Sequence, residues 1–423
     1  MEGRKRQAGI ELLRMVAMMM IVTMHFLANS GNLLEPGKQS DLSAVLGTIL
    51  ENFCLAAVNA YVFISGYFGY QGTFQVKRVL RFLCQIWFYS LLVPLVLMGL
   101  GISTGFQNGI YGILPYLFPI ETEHYWFATS FLLLMLLMPF LNLAAQHLPK
   151  KTYQTALVVL FIFLSGIKSI IPVAFATDRY GYDLTWFVFV YLLAAYAGKY
   201  DENGIFHRFK AGRGNAAILF LLSAAAGMAI QFLMKDLGSF LPSLQNTCEY
   251  YFSVPYHYNT ITVLTAAIGL FYLFRSLQIR EGKAADLLRQ LGGLCFGIYL
   301  LHEHIDIRGS WYGWLQALVN PAGNTGVLPF LTEWIFCLLV VCIAGLLADL
   351  IRDKVFHLIG ARLDKTALGK WLKNPDDAND VTQDVLIELY KTEKAFESDA
   401  HLKNWLIRAT VNRCKMLFRS PWR

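Results

Sequence analysis

Charge is what this sequence has least of. Only 15% of its 423 residues are Asp, Glu, Lys or Arg, while 56% are hydrophobic. Soluble globular domains run near 25% charged. With a mean hydropathy of +0.45, the chain has too little polar surface for a water-soluble enzyme, a fibre or a disordered polymer. The cysteines are few and odd in number, seven, and no Cys-x-x-Cys occurs, which excludes a disulfide framework and a zinc site of the usual spacing. Cys54, Cys84, Cys295, Cys337 and Cys342 fall in apolar runs, where cysteine packs as a small hydrophobe; Cys248 is expected in a loop and Cys414 in a tail. No internal repeat or low-complexity segment stands out. A polytopic membrane protein remains.

Charge is also unevenly spread. Residues 1–351 hold 41 charged residues, whereas residues 352–423 hold 24 in only 72. This contrast divides the chain into a membrane domain (1–351), a linker (352–373) and a helical tail (374–423). Ten apolar stretches are present, at about 10–29, 44–70, 80–102, 124–146, 153–172, 183–198, 215–235, 257–274, 290–305 and 328–351. In a bilayer every backbone group must be satisfied internally, so such runs are expected to be helices. The expected fold class is therefore all-α, with about ten transmembrane helices and a short helical tail.

Basic residues set the expected orientation. With the N-terminus inside, sixteen Lys and Arg fall on the cytoplasmic side, among them Lys77, Arg78, Arg81, Lys150 and Lys151. Only Lys38, Arg179, Lys235 and Arg308 fall outside. This bias predicts cytoplasmic termini. Glu11 and Arg14 interrupt the first apolar run, which argues against a cleaved signal peptide.

Ionisable groups within spans are costly, and each is a functional candidate. Arg14 and His25 are eleven residues apart on the first helix. They share a face, roughly 16 Å apart along the axis. Arg14 would lie near the cytoplasmic mouth and the titratable imidazole deeper in. Snorkelling by Arg14 and a satisfied core histidine are the alternatives.

Four further motifs stand in order. The second span ends Ser65-Gly66-Tyr67-Phe68, and Arg78-Val79-Leu80-Arg81 follows on the expected cytoplasmic side. The fourth span opens His124-Tyr125-Trp126-Phe127, and the ninth carries Gly297-Ile298-Tyr299-Leu300-Leu301-His302. Together with an Arg and a His separated by ten residues in the first helix, this ordered set resembles the acyltransferase-3 family of bacterial membrane acyltransferases across about 1–351. The resemblance implies transfer of an acyl group, usually acetyl, from a cytoplasmic donor to a hydroxyl of an envelope glycan or lipid-linked sugar. It points to the bacterial cytoplasmic membrane, with acetyl-CoA as donor substrate and no tightly bound cofactor.

The residues suit that reaction. Histidine has the unperturbed pKa of a general base near neutrality, so His25 and Arg14 are the catalytic candidates. Arg78 and Arg81, at i and i+3, are the donor-binding candidates, because guanidinium matches phosphate; ordinary cytoplasmic basic residues are the alternative. Ser65, Tyr125, Trp126, Tyr299 and His302 are supporting candidates. Ser65 also suits close helix packing, Tyr125 and Trp126 the membrane interface, and Tyr299 and His302 a structural or substrate-facing role. His304, Glu303 and Asp306 offer no clear fourth ligand, so no metal is expected.

The tail differs in kind. Asn374-Pro375-Asp376-Asp377 reads as a helix start, with Val381, Val385 and Leu389 on one stripe. Asp399 is expected to cap a second helix with Leu402, Trp405, Leu406 and Ala409 inward and Lys403, Arg408, Lys415 and Arg419 outward. This segment resembles region 2 of extracytoplasmic-function sigma factors, which docks on RNA polymerase and reads promoter DNA. The resemblance covers about fifty residues and omits the family's other parts, so neither RNA polymerase nor DNA is expected as a partner. A membrane-tethered transcription regulator and a proton-coupled transporter using Arg14 and His25 are the rival readings.

Overall fold

The structure is a computed structural model that describes residues 6–122, 124–173, 178–200, 209, 212–363, 384, 385, 388, 389, 392, 396 and 398–419. Arg208 and Lys210 lie outside these residues, as do residues 1–5 and the expected helix start at 374–377 with Val381.

Among the described residues all regular structure is helical. The elements are α1 (Ala8–Ser30), α2 (Leu42–Cys54), α3 (Ala56–Gly69), α4 (Val76–Gly99), α5 (Gly109–Leu117), α6 (Trp126–His147) and α7 (Lys150–Phe161). A π-helical turn, Ile162–Gly166, joins α7 to α8 (Ile167–Ile170). Then follow α9 (Leu184–Lys199), α10 (Arg213–Phe240), α11 (Gln245–Ser253), α12 (Ile261–Arg275), α13 (Lys283–His302), α14 (Trp311–Val319), α15 (Val327–Leu363) and α16 (Asp399–Arg419). Nine helical segments among the described residues are long and apolar enough to cross a membrane. The chain is a multi-pass membrane protein.

Each expected apolar stretch is met by a helix, with instructive differences. The sixth, α9, has only 16 residues, about 24 Å of helix against a hydrocarbon core of ~30 Å. It is an interior helix: Trp186, Phe187, Val190, Tyr191 and Ala194 are all buried, and it packs on α3, α6 and α7. The fourth span begins at Trp126, leaving His124 and Tyr125 before it, and the ninth ends at His302, leaving Glu303 and His304 beyond it. The stretch 236–256, between two of the expected apolar stretches, is mostly helical. It contains the end of α10, a 3₁₀ turn and α11, where Cys248 is buried rather than in a loop. The last span runs on through Arg352 to Leu363, into the stretch expected as a linker.

Residues Met1–Arg352 form one compact unit and Asp353–Arg423 another. Within the first, α1 packs against α2, α3, α12 and α13, and α3 lies against α9 and α12. Two glycines explain why these helices come so close. A Cβ on Gly66 would strike the Tyr191 carbonyl of α9, and a Cβ on Gly297 would strike Asp349 of α15 and the Tyr89 hydroxyl. The glycines of the Ser-Gly-Tyr and Gly-x-Tyr motifs are therefore packing positions, as small residues at membrane helix crossings commonly are.

In the second unit, α16 is capped by Ser398 rather than Asp399: the His401 N–H donates to Ser398 Oγ at 3.2 Å. Trp405 and Leu406 pack on Val385 and Ala409, and Arg413 Nε donates to Asp384 Oδ2 at 2.8 Å.

Candidate functional site

His25 lies in the C-terminal half of α1 beside the C-terminal end of α13. Its Nδ1 is 2.8 Å from His302 Nε2. His302 Nδ1 is in turn 2.6 Å from the carbonyl oxygen of Ile298, one turn earlier in its own helix. A carbonyl has no proton to give, so His302 donates from Nδ1. Its neutral ring then accepts at Nε2, and His25 must donate from Nδ1. Three residues thus fix two tautomers, and the lone pair of His25 is left on Nε2. Glu303 Oε1 lies 3.2 Å from the same His25 Nδ1, placed to stabilise an imidazolium once Nε2 takes a proton. Burial raises the Glu303 carboxyl above its usual range, opposed by His302 and Arg308.

His25, His302 and Glu303 present ligand atoms within 4.8 Å of one another. The two ring nitrogens, 2.8 Å apart, are at hydrogen-bonding distance.

A narrow cleft opens beside His25, with Tyr61, Trp126, Phe127, Tyr258 and Tyr299 among its walls. Four expected site residues therefore meet here: His25 and His302 in contact, and Trp126 and Tyr299 on the walls. Tyr299 is 3% exposed, and its hydroxyl accepts the Phe127 N–H at 3.3 Å. Trp126, the first residue of its span and partly buried, stacks on Tyr258 with ring centroids 6.0 Å apart.

Other expected site residues lie elsewhere. Tyr125 is fully buried and donates to the Leu300 carbonyl at 2.9 Å, so it is a strut between α6 and α13 and not an interface aromatic. Ser65 donates to Tyr61 O at 3.0 Å within its own helix. Arg14 does not reach His25. Its guanidinium is held by Glu11 at 2.5 Å, and its carbonyl accepts the Tyr61 hydroxyl at 2.5 Å. Tyr61, bonded to the Arg14 backbone, also lines the cleft that His25 lines. Arg78 and Arg81 are exposed in the first turns of α4. Lys168, a further cation within a span, is buried and bonded to Asp178 and to Asn259 Oδ1 at 2.9 Å, a closed structural pair.

Reading motif by motif missed the roles of Glu303 and Glu11. Glu303 was visible only as part of a failed metal set, because the motif ends at His302 and the turn that brings Glu303 back is a helix-end geometry. Glu11 stands three residues before Arg14, the spacing of a helical ion pair.

A second histidine pair sits just beyond the spans. His124 Nε2 accepts the Ile305 N–H at 3.1 Å, with Nδ1 3.3 Å from Pro115 O. His304 Nδ1 accepts the Asp306 N–H at 3.2 Å, with Nε2 3.4 Å from Ser90 O. Each ring must stay neutral to accept its backbone N–H. Burial lowers His124 to about 3, helped by the charge of His304, and lowers His304 to about 4. Both folded values lie below the usual 6.5, so the opened state binds protons first. Stability is full above about pH 6.5 and falls as pH drops toward 4, by about 1.4 kcal/mol per pH unit per histidine. Glu303 titrates in the opposite sense, so the check is a comparison. Thermal unfolding of His124→Gln, which keeps an acceptor and does not titrate, should lose less between pH 7 and 5 than the parent does. Equal losses would show that His124 is not the titrating group.

A family profile described as an acyltransferase domain matches residues 7–349. The chain belongs to this acyltransferase family. The His25–His302 contact thus joins the first and the last motif of an acyltransferase across 277 residues of sequence. A second profile, Sigma-70 region 2, matches residues 361–423, a longer segment than the 374–423 expected. Searches of the curated proteins and of the solved structures find no match.

Proposed function

We propose that this acyltransferase moves an acyl group from cytoplasmic acyl-CoA to a hydroxyl of an envelope glycan or lipid-linked sugar, in a bacterial cytoplasmic membrane with both termini inside. Acetyl is the donor group suggested by the sequence. The observation that carries the reading is the chain Ile298 O, His302, His25, which leaves an unprotonated Nε2 at a cleft.

In this reading Nε2 takes the acceptor's hydroxyl proton as the oxygen attacks the thioester carbonyl. The C–O bond forms and the C–S bond breaks. The imidazolium returns its proton to the sulfur, and CoA leaves as the thiol. Glu303 and His302 hold the ring and its transient charge. Arg78 and Arg81 meet the phosphates of CoA, for which exposed guanidinium groups on one side of a helix are suited. The tail has no part in these steps.

The test is mass analysis of envelope glycans from cells lacking the protein, which should lose one acyl group from a defined sugar. Unchanged glycans, together with no consumption of acyl-CoA by purified protein, would reject the reading in favour of transport. For the donor, Arg78→Ala combined with Arg81→Ala should weaken CoA binding about tenfold or more. The loss should be smaller for dephospho-CoA, by titration calorimetry. Equal affinities before and after would leave these arginines with orientation alone.

A further inference from the structure

The cleft beside His25 has about 40 Å³ of space for water-sized groups, room for a reacting hydroxyl but not for the ring that carries it. The bulk of an acceptor must be held elsewhere. A second cavity, with about 150 Å³ of such space, lies between the loop joining α1 to α2 and the pair α10 and α11. At about 10–15 Å³ for each group this admits about ten heavy atoms, the size of one pyranose residue.

Its lining mixes donors, acceptors and apolar surface. The Lys235 side chain is only 8% exposed, and its ammonium donates to Asp236 Oδ1 at 2.8 Å, a carboxylate that is itself largely exposed. An ammonium has three donors, and among the described residues Asp236 is the one partner of Lys235. On α11, Gln245 Nε2 donates to Glu249 Oε1 at 3.0 Å. The Gln245 carbonyl oxygen and the second Glu249 oxygen remain as acceptors. Sugar hydroxyls both give and accept hydrogen bonds, so they need such a mixture. Met234 and Pro36 add apolar wall for the C–H face of a ring. Two carboxylates stand against one ammonium, which disfavours an anionic ligand.

The cavity is also held in place. Gln231, one turn before Lys235 on α10, is fully buried; it accepts from Asn52 Nδ2 of α2 at 2.6 Å and donates to Phe252 O of α11 at 3.4 Å. Helix α2 in turn lies close on the end of α1, where a Cβ on Gly47 would strike the Asn32 carbonyl. That is the end of α1 that carries His25.

We propose that this cavity binds a neutral sugar residue of the acceptor, other than the residue whose hydroxyl reacts at His25. The inference rests on the glycan reading above and adds where, and by which side chains, the acceptor is held.

The experiment is saturation-transfer NMR on the full chain in lipid nanodiscs, with empty nanodiscs subtracted. The probes are the methyl glycosides of glucose, galactose, mannose and N-acetylglucosamine, with glucuronate and glucose 6-phosphate as anionic counterparts. At least one neutral glycoside should bind, and the anionic sugars about tenfold or more weaker. Lys235→Met keeps the stem but removes the donors, and should weaken the bound sugar about tenfold or more. Gly238→Leu fills the cavity from α10 and should abolish binding. Its Cβ would lie 3.4 Å from the Cys248 Cβ, an ordinary contact, so it covers the case in which Lys235→Met fails to fold. No neutral sugar bound, anionic sugars bound best, or binding untouched by both substitutions would each overturn the pocket. Acyl-CoA consumption is read separately on the same preparations. Its absence beside the expected sugar binding leaves the pocket standing and rejects the acyl-CoA reading; its presence with no sugar bound does the reverse.

Discussion

His25→Ala is expected to lower acyl transfer by about 10²- to 10⁴-fold, the range that general-base help supplies, while the protein inserts and folds as before. His25 is only partly buried, with its side chain 25% exposed, so little packing is lost. The measurement is acyl-CoA consumption by purified variant matched for monodispersity with the parent. Activity within threefold of the parent would remove His25 from the chemistry. His302→Phe separates positioning from basicity. It keeps a ring against α1 but removes the imidazole acceptor of His25 Nδ1 and leaves the Glu303 carboxyl, at 3.2 Å, as its partner, which changes the basicity of Nε2. The bell of rate against pH should then shift as well as fall, whereas a purely structural loss would lower it at every pH alike.

The second large effect is on stability, at Gly297, five residues before His302 on α13. Asp349 on α15 is fully buried and accepts from four donors: Gln85 Nε2 at 2.9 Å, the Tyr89 hydroxyl at 3.1 Å, and Arg352 Nε and Nη2 at 2.9 and 2.6 Å. These bonds tie α4 to α15 around Gly297. Removing one partner of a buried ion pair costs about 3–5 kcal/mol, because the other charge stays buried. Asp349→Ala should therefore lower the thermal midpoint in detergent more than any surface change. Asp349→Asn, which keeps the shape and some acceptor capacity, should fall between it and the parent. A midpoint for Asp349→Ala within a degree of the parent would mean that water reaches Arg352 and solvates it.

The spans were legible because a bilayer demands unbroken apolar helix, and Ala8–Ser30 and Trp126–His147 follow that demand closely. The length of α9 was not legible as an interior feature: a run such as Phe187, Val190 and Tyr191 reads alike whether lipid or protein surrounds it. The helical stretch around Cys248 escaped for a related reason. Its polar residues, Gln245, Asn246 and Glu249, give no apolar run, and the helix forms because α10 provides a surface to pack on. At the site, spacing along α1 placed Arg14 and His25 on one face but said nothing of what faces them. His302 could be named from its motif. That it touches His25 depends on the crossing of α1 and α13, a long-range property with no local pattern. The burial of Tyr125 depends on another crossing, that of the start of α6 with α13, because its partner is the Leu300 carbonyl.

His302 closes α13, and its imidazole leans on a carbonyl of that helix's last turn. The exposed carbonyls of a helix end act as about half a negative charge. In the proposed reaction the proton gained at His25 Nε2 can be matched by movement of the Nδ1 proton onto His302, whose ring centre is 5.1 Å away. The positive charge would then rest at the helix terminus and not against the thioester. Such a paired transfer puts two protons in flight, so the rate measured in mixtures of light and heavy water should curve with deuterium content instead of following a straight line.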